Sequence, residues 1–239
     1  MIGAVTFDFW NTIARVPPGT MTEARLQAIA VACAECEVEV EVDLLTRSME
    51  KVAAGWERSW MEGTHLHPRD GAEMLIRALG LEGAAREMVA EAFLSAGRDV
   101  TLELAPDIRS TLESLDARGI RLGIVCDVGF SGGEILREAL DREGLLQRFS
   151  GWAFSDEVGE YKPAPGIFEV ALDALGVSPG RAAHLGDLRR TDIAGGTAMG
   201  MKTIRYRGLF DDADGGGPEA DHVIDSHRQL LDVLETEDF

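Results

Sequence analysis

Ile2-Gly-Ala-Val-Thr-Phe-Asp8-Phe-Trp-Asn-Thr12 begins as a short apolar run, turns β-rich, and stops at a carboxylate. An apolar run without polar alternation fits a strand covered on both faces, which is the situation of a parallel sheet. Four further runs have the same character: Ile120–Val125, Ala182–Leu185, Lys202–Tyr206 and His222–Ile224. Helical patterns stand before them, with Ile108, Leu112 and Leu115 before the second, Ile167–Leu175 and the turn Gly176–Gly180 before the third, and Ile193–Met199 before the fourth. Strands alternating with helices predict right-handed βαβ units and a Rossmann-like α/β core built on a parallel sheet.

Between the first strand and the rest, the pattern changes. Glu23–Ala34, Asp43–Trp60, Gly71–Leu79 and Ala84–Ala96 read as helices broken by Gly and Pro, with no strand among them. The expected organisation is therefore an α/β core of residues 1–14 and 101–239 with a small all-helical domain, residues 15–100, inserted after the first strand. Trp56 and Trp60, four residues apart on one helix face, either pack or line a pocket. Asp211–Pro218, with three consecutive glycines, reads as a mobile loop within the core.

The balance of 23 Lys+Arg against 42 Asp+Glu leaves a net charge of −19 over 239 residues. Such a surface repels phosphodiester backbones and anionic membranes, so neither nucleic acid nor a membrane is expected as a partner. No apolar run approaches the ~20 residues that span a bilayer, and a cytoplasmic location is expected. Three cysteines are too few for a disulfide framework, and Cys33 and Cys36 read as small apolar residues on one buried helix face. An anionic substrate would need a local cation to overcome the overall field.

In open parallel sheets ligands bind beyond the carboxyl ends of the strands. Asp8 to Thr12, Cys126-Asp127 and Gly186-Asp187…Asp192 all fall at such ends, and Lys162 sits in the stiff loop Lys162-Pro-Ala-Pro165 between the last two. For a phosphate ester each group has a task. Asp8 can attack phosphorus to form an acyl phosphate. Asp8, Asp187 and Asp192 form a carboxylate cluster suited to Mg2+. Lys162 neutralises the nucleophile and the phosphoryl oxygens, and Thr12 or nearby backbone N–H groups can hold another phosphoryl oxygen.

This arrangement resembles the haloacid dehalogenase superfamily of hydrolases over nearly the whole chain. Asp8–Thr12 is similar to its first motif, Lys162 to the lysine of its third, and Gly186-Asp187…Asp192 to the metal-binding acids of its fourth. The helical insert resembles the cap of the subclass whose cap follows the first motif. The resemblance implies catalytic roles for Asp8, Lys162 and Thr12. It implies metal ligation by Asp8, the Trp10 backbone carbonyl, Asp187 and Asp192, and a cap that opens for substrate and closes to exclude water. Cys126 and Asp127 stand at the second motif, where they would meet substrate, and Arg189 or Arg190 either recognises an anionic part of it or pairs with surface carboxylates.

Two departures stand out. Phosphatases of the family usually carry an aspartate two residues after the nucleophile as general acid, and here that residue is Trp10, which cannot transfer a proton near neutral pH. Cys126 is a poor hydrogen-bond donor where Ser or Thr is usual. The reading is a magnesium-dependent phosphatase acting on a small phosphorylated metabolite. The alternatives are a hydrolase of another bond, such as a 2-haloacid dehalogenase, or a catalytically weak binding protein. His65 and His67 read as surface residues of the insert, His184 as a satisfied core histidine, and Arg15 as a charge at the hinge into the insert.

Overall fold

A computed structural model describes residues 2–236. The first strand, β1 (Ala4–Phe7), is wholly buried. It is followed by a two-residue strand, β2 (Ala14–Arg15), and four helices: α1 (Thr20–Glu35), α2 (Val42–Glu62), α3 (Pro68–Leu79) and α4 (Gly83–Ser95). After β3 (Glu103–Leu104) and α5 (Ile108–Ala117) the chain enters β4 (Arg121–Cys126), α6 (Gly133–Arg142), β5 (Gly151–Phe154), α7 (Ser155–Val158) and α8 (Pro165–Leu175). It ends with β6 (Ala182–Gly186), a π-helical turn at Arg189–Ile193, α9 (Ala194–Met199), β7 (Lys202–Tyr206), β8 (His222–Ile224) and α10 (His227–Thr236).

Six strands form one parallel sheet in the order β5-β4-β1-β6-β7-β8. From β1 the chain first winds outward through β4 and β5, then crosses back to β6 and winds the other way, which makes the junction of β1 and β6 the switch point of the fold. Phe7 is level with Leu185 across that junction, so the residues after both strands emerge side by side. The sequence reading found five of the six strands. β5, Gly151-Trp-Ala-Phe154 at one edge of the sheet, is the strand not among them.

The chain divides into two compact units. One is Met1–Arg15, Leu102–Asp127 and Leu140–Phe239; the other is Val16–Thr101 with Val128–Ala139. The helical unit thus includes a stretch after β4, Val128–Ala139, that the sequence pattern places in the α/β unit. Its core gathers Ile29, Cys33, Met49, Leu75, Ile76, Val89 and Phe93, so Cys33 is a core residue as expected. Trp56 and Trp60 stack with ring centroids 5.7 Å apart, and Trp56 reaches Phe130 at 6.2 Å. Buried Arg25 donates from Nε to the Phe93 carbonyl at 3.0 Å and lies over the Phe93 and Phe130 rings. In the other unit β2 and β3 pair antiparallel, and Arg15 is held there by Glu103 at 2.9 Å. No described helix is long and apolar enough to cross a membrane.

Candidate active site

Four ionisable side chains meet at the switch point, each nearly sealed from solvent: Asp8 5%, Lys162 3%, Asp187 3% and Asp192 1% exposed. Asp8 follows β1, and its backbone N–H donates to the Leu185 carbonyl of β6 at 2.8 Å. The chain then turns tightly, with the Phe9 carbonyl accepting from the backbone N–H groups of Ile13 and Ala14 at 2.9 and 3.1 Å. Asn11 takes a left-handed φ of 55°, which asparagine tolerates better than most residues, and donates from Nδ2 to Asp187 Oδ2 at 3.3 Å. Trp10 is half-buried, its ring edge-on to the buried Phe9 ring at 4.9 Å. Thr12 is fully buried, and its hydroxyl has no hydrogen-bond partner.

Lys162 reaches this place from the loop before α8. Asp127 fixes that loop by accepting the Lys162 backbone N–H on Oδ1 at 3.0 Å. The ammonium uses its three hydrogens on Asp8 Oδ1 at 2.5 Å, Asp192 Oδ1 at 2.7 Å and the Val125 carbonyl at 3.2 Å. Asp192 is satisfied at both oxygens. Oδ1 receives Lys162 and His184 Nε2, the latter at 3.0 Å, and Oδ2 receives the Leu188 N–H at 3.1 Å and the Thr191 hydroxyl at 3.4 Å. The π-helical turn at Arg189–Ile193 swings Asp192 back under the end of β6. That return needs Gly186, because a Cβ there would stand 2.2 Å from the Asp192 carboxyl carbon.

One carboxylate oxygen from each of Asp8, Asp187 and Asp192 lies within 4.8 Å of the others, and no other such group of acids, histidines or cysteines occurs among the described residues. Three carboxylates face one ammonium, so the cluster lacks positive charge. Burial pushes Asp8 up to about 7, with Lys162 opposing the rise and Asp192 and Asp127 adding to it. Asp187 is driven well above the ordinary carboxylate range by burial, then by the charges of Asp8 and Asp192. At Asp192 burial also raises the pKa, but Lys162 and His184 together outweigh it and hold the carboxyl below the usual range. Lys162 stays protonated, since its acidic neighbours overcome the cost of burial. A hard divalent cation with oxygen ligands fits this deficit at Asp8 and Asp187, whereas Asp192 is already saturated by protein donors.

His184 is the core histidine that the sequence led us to expect, but it also serves the site. Wholly buried, it lies level with Thr6 across the β1–β6 pairing, with Nδ1 2.9 Å from the Thr6 hydroxyl and Nε2 on Asp192. Burial lowers its pKa, keeping the imidazole neutral, with the proton on Nε2 and Nδ1 accepting from Thr6. A polar residue inside each of two otherwise apolar strands was the available signal. His227, at the start of α10, was not foreseen at all: it donates from Nε2 to the Thr12 carbonyl at 2.8 Å and stacks on Tyr206 at 4.2 Å.

Other expected site residues lie differently. Arg189, expected at an anionic substrate group, donates its guanidinium to the backbone carbonyls of Ala213, Gly217 and Pro218 and so ties down the Asp211–Pro218 loop. Cys126 ends β4 wholly buried, where burial followed by the Asp8 charge raises its pKa well above normal and keeps it a thiol. Asp127 holds the lysine loop through the Lys162 N–H. In the helical unit His67 caps α3, accepting the Arg69 N–H at 3.1 Å on Nδ1.

Comparison with known proteins agrees with this geometry. A glyceraldehyde 3-phosphate phosphatase of Methanopyrus kandleri is 33% identical over 98% of this chain and 97% of its own. A Pyrococcus furiosus protein of the same name is 36% identical over 69% of each chain. The crystal structure of a HAD phosphatase from Thermococcus onnurineus superposes with a TM-score of 0.69 at 25% identity, covering 100% of both chains. A 2-haloacid dehalogenase from Pseudomonas syringae superposes with a TM-score of 0.68 at 26% identity over 98% of this chain and 99% of that one. The family model for haloacid dehalogenase-like hydrolases matches residues 2–200, which carry all four members of the buried cluster, and the chain belongs to that family of hydrolases.

Proposed function

We propose that this hydrolase is a phosphatase that transfers the phosphoryl group of a small phosphorylated metabolite to Asp8 and then to water, with Mg2+ at the site. The observation that carries the reading is the pairing of Asp8 with Lys162 at 2.5 Å beside the Asp187 carboxylate. A nucleophilic carboxylate with both a lysine and a second, charge-starved acid next to it suits an anionic substrate whose charge a cation must balance. Full-length similarity to a phosphatase supports the same choice over carbon–halogen cleavage.

Asp8, Asp187 and the Trp10 carbonyl are the ligands we assign to the metal, with Asp192 behind them. Magnesium, when bound, neutralises phosphoryl oxygens and makes phosphorus more electrophilic. The chain does the rest. Lys162 orients Asp8 and meets the phosphoryl oxygens as a point charge. Asp192, held by His184, Leu188 N–H and Thr191, keeps Lys162 in place. Thr12 offers an uncommitted hydroxyl to a phosphoryl oxygen. Turnover of a phosphate-ester panel, run with magnesium, with chelator and with Asp8→Asn, tests the assignment. Loss of turnover in the last two conditions is expected, and activity that survives either one contradicts it.

A further inference from the structure

With Asp8 and Asp187 given over to the metal, none of the described side chains of the α/β unit at this site is placed as a general acid. The titratable groups that interact with Asp8 are Lys162, Asp187, Asp192, Asp127 and Cys126. Asp187 shares the metal with Asp8 in our assignment, and the wholly buried Cys126 thiol is held well above its ordinary pKa and is a poor acid. All three hydrogens of the Lys162 ammonium are engaged, on Asp8, Asp192 and Val125. Asp192 accepts four hydrogen bonds. Asp127 accepts the Lys162 backbone N–H and so acts on the lysine loop. The nearby histidines are committed as well: His184 donates to Asp192, and His227, fully buried, donates to the Thr12 carbonyl. The turn after Asp8 contributes Phe9, Trp10, Asn11 and Thr12, none of which is an acid near neutral pH. Trp10 brings apolar, aromatic surface there instead, half-buried and anchored on Phe9.

The missing proton constrains the leaving group. When Asp8 forms its bond to phosphorus, the bond from phosphorus to the ester oxygen breaks and the electron pair stays on that oxygen. A simple alkoxide is about as basic as hydroxide, whose parent water has a pKa of about 15.7, and its departure calls for an acid. A phenoxide, with a parent pKa of about 10 as in tyrosine, leaves far more readily as the anion. Building on the phosphatase reading, we propose that the preferred substrates are phosphates carried on an acidic oxygen: aryl, enol or acyl phosphates, in preference to esters of simple alcohols. The leaving oxygen departs as an aryl oxide, enolate or carboxylate and takes its proton from solvent. Water then attacks phosphorus, the bond to Asp8 breaks with its electron pair returning to the carboxylate, and the water proton passes to phosphate or solvent.

The test is a leaving-group series. The ratio kcat/KM is measured with magnesium for substituted phenyl phosphates, whose size hardly changes while the acidity of the phenol does, and for alkyl phosphates of similar bulk. The expected result is a steep fall in kcat/KM as the leaving group becomes more basic, with alkyl esters at least about 10²-fold below phenyl esters, the lower end of what a general acid is worth. Trp10→Asp is expected to raise the alkyl esters selectively and flatten the slope. Should that variant not fold, a solvent deuterium isotope effect near unity on wild-type kcat/KM for phenyl phosphate, which reports the transfer to Asp8 and not the later attack of water, supports the same absence of leaving-group protonation, and a large normal effect contradicts it. Alkyl and aryl esters turned over alike by the wild type, with activity lost in Asp8→Asn, would overturn this inference and leave the phosphatase reading intact. No turnover of any ester, or turnover that persists in Asp8→Asn, overturns both.

Discussion

Lys162 Nζ and Asp8 Oδ1 stand 2.5 Å apart with side chains 3% and 7% exposed, a buried ion pair in which the lysine is shared with Asp192. Breaking such a pair from one side leaves uncompensated buried charge, at about 3–5 kcal/mol. Lys162→Met is therefore expected to unfold at distinctly lower urea concentration than the wild type and to lose at least about 10²-fold in kcat, the usual cost of removing a preorganised electrostatic contact. Urea titration and steady-state kinetics check the two effects separately.

Magnesium binding should be proton-linked. Asp8 is pushed up to about 7 in the metal-free protein, so below that pH a cation must displace a proton. Magnesium affinity is expected to weaken by about tenfold per pH unit as the pH falls below 7, with proton release visible by calorimetry in buffers of different ionisation enthalpy. Asp187→Asn should abolish tight binding at every pH.

His227 links stability to acid. Burial pushes its pKa down to about 4, with the hydrogen bond to the Thr12 carbonyl and the charge of Asp107 opposing. The folded value lies below the unfolded one of about 6.5, so the protein prefers the neutral ring. The stability contributed is complete above pH 6.5 and is lost as the pH falls toward 4, up to about 3 kcal/mol in all. His227→Gln keeps a donor for Thr12 without the titration. Its unfolding free energy should fall less than that of the wild type between pH 7 and 4.5.

Gly186→Ala places a methyl group 2.2 Å from the Asp192 carboxyl carbon. Overpacking of this kind costs about 1–3 kcal/mol, and here it also displaces the carboxylate that positions Lys162. Lower thermal stability together with a fall in kcat larger than any change in KM is the expected outcome.

Arg189→Ala should leave kcat and KM within about twofold, since its guanidinium serves the backbone of the Asp211–Pro218 loop and surface substitutions of this kind rarely cost more than a small fraction of total stability. Faster hydrogen exchange confined to that loop is the expected signature. A large rise in KM would restore Arg189 to the substrate.

Much of this was legible from one sequence because buried parallel strands advertise themselves. Ile2–Phe7 and Ala182–Leu185 are largely apolar runs followed within two residues by an acid, and a parallel sheet brings such ends together. Lys162 was legible from its proline setting. Less visible were the groups whose role is set by tertiary neighbours. Nothing in Asp127 or Asp192 alone says that one holds a loop N–H and the other is spent on a lysine and a histidine. Arg189 was open for the same reason: a positive residue beside the motif is a candidate for a substrate anion or for a surface partner until the glycine loop, distant in sequence, takes its hydrogen bonds. The assignment of Val128–Ala139 to the helical unit is likewise a matter of packing that local pattern does not encode.

The position of β1 in the middle of the sheet has a consequence for synthesis. Ala4 pairs with Arg121 on one side and Ala182 on the other, so the first strand leaves the ribosome long before either neighbour exists. At about 5–20 residues per second the wait for both is on the order of ten seconds or more, during which an apolar segment with two open edges has no native partner. Ordered contacts of such long range also fold slowly. The nascent chain is thus most exposed to aggregation at β1, and Asp8 comes into register with the end of β6 only after β6 has been made.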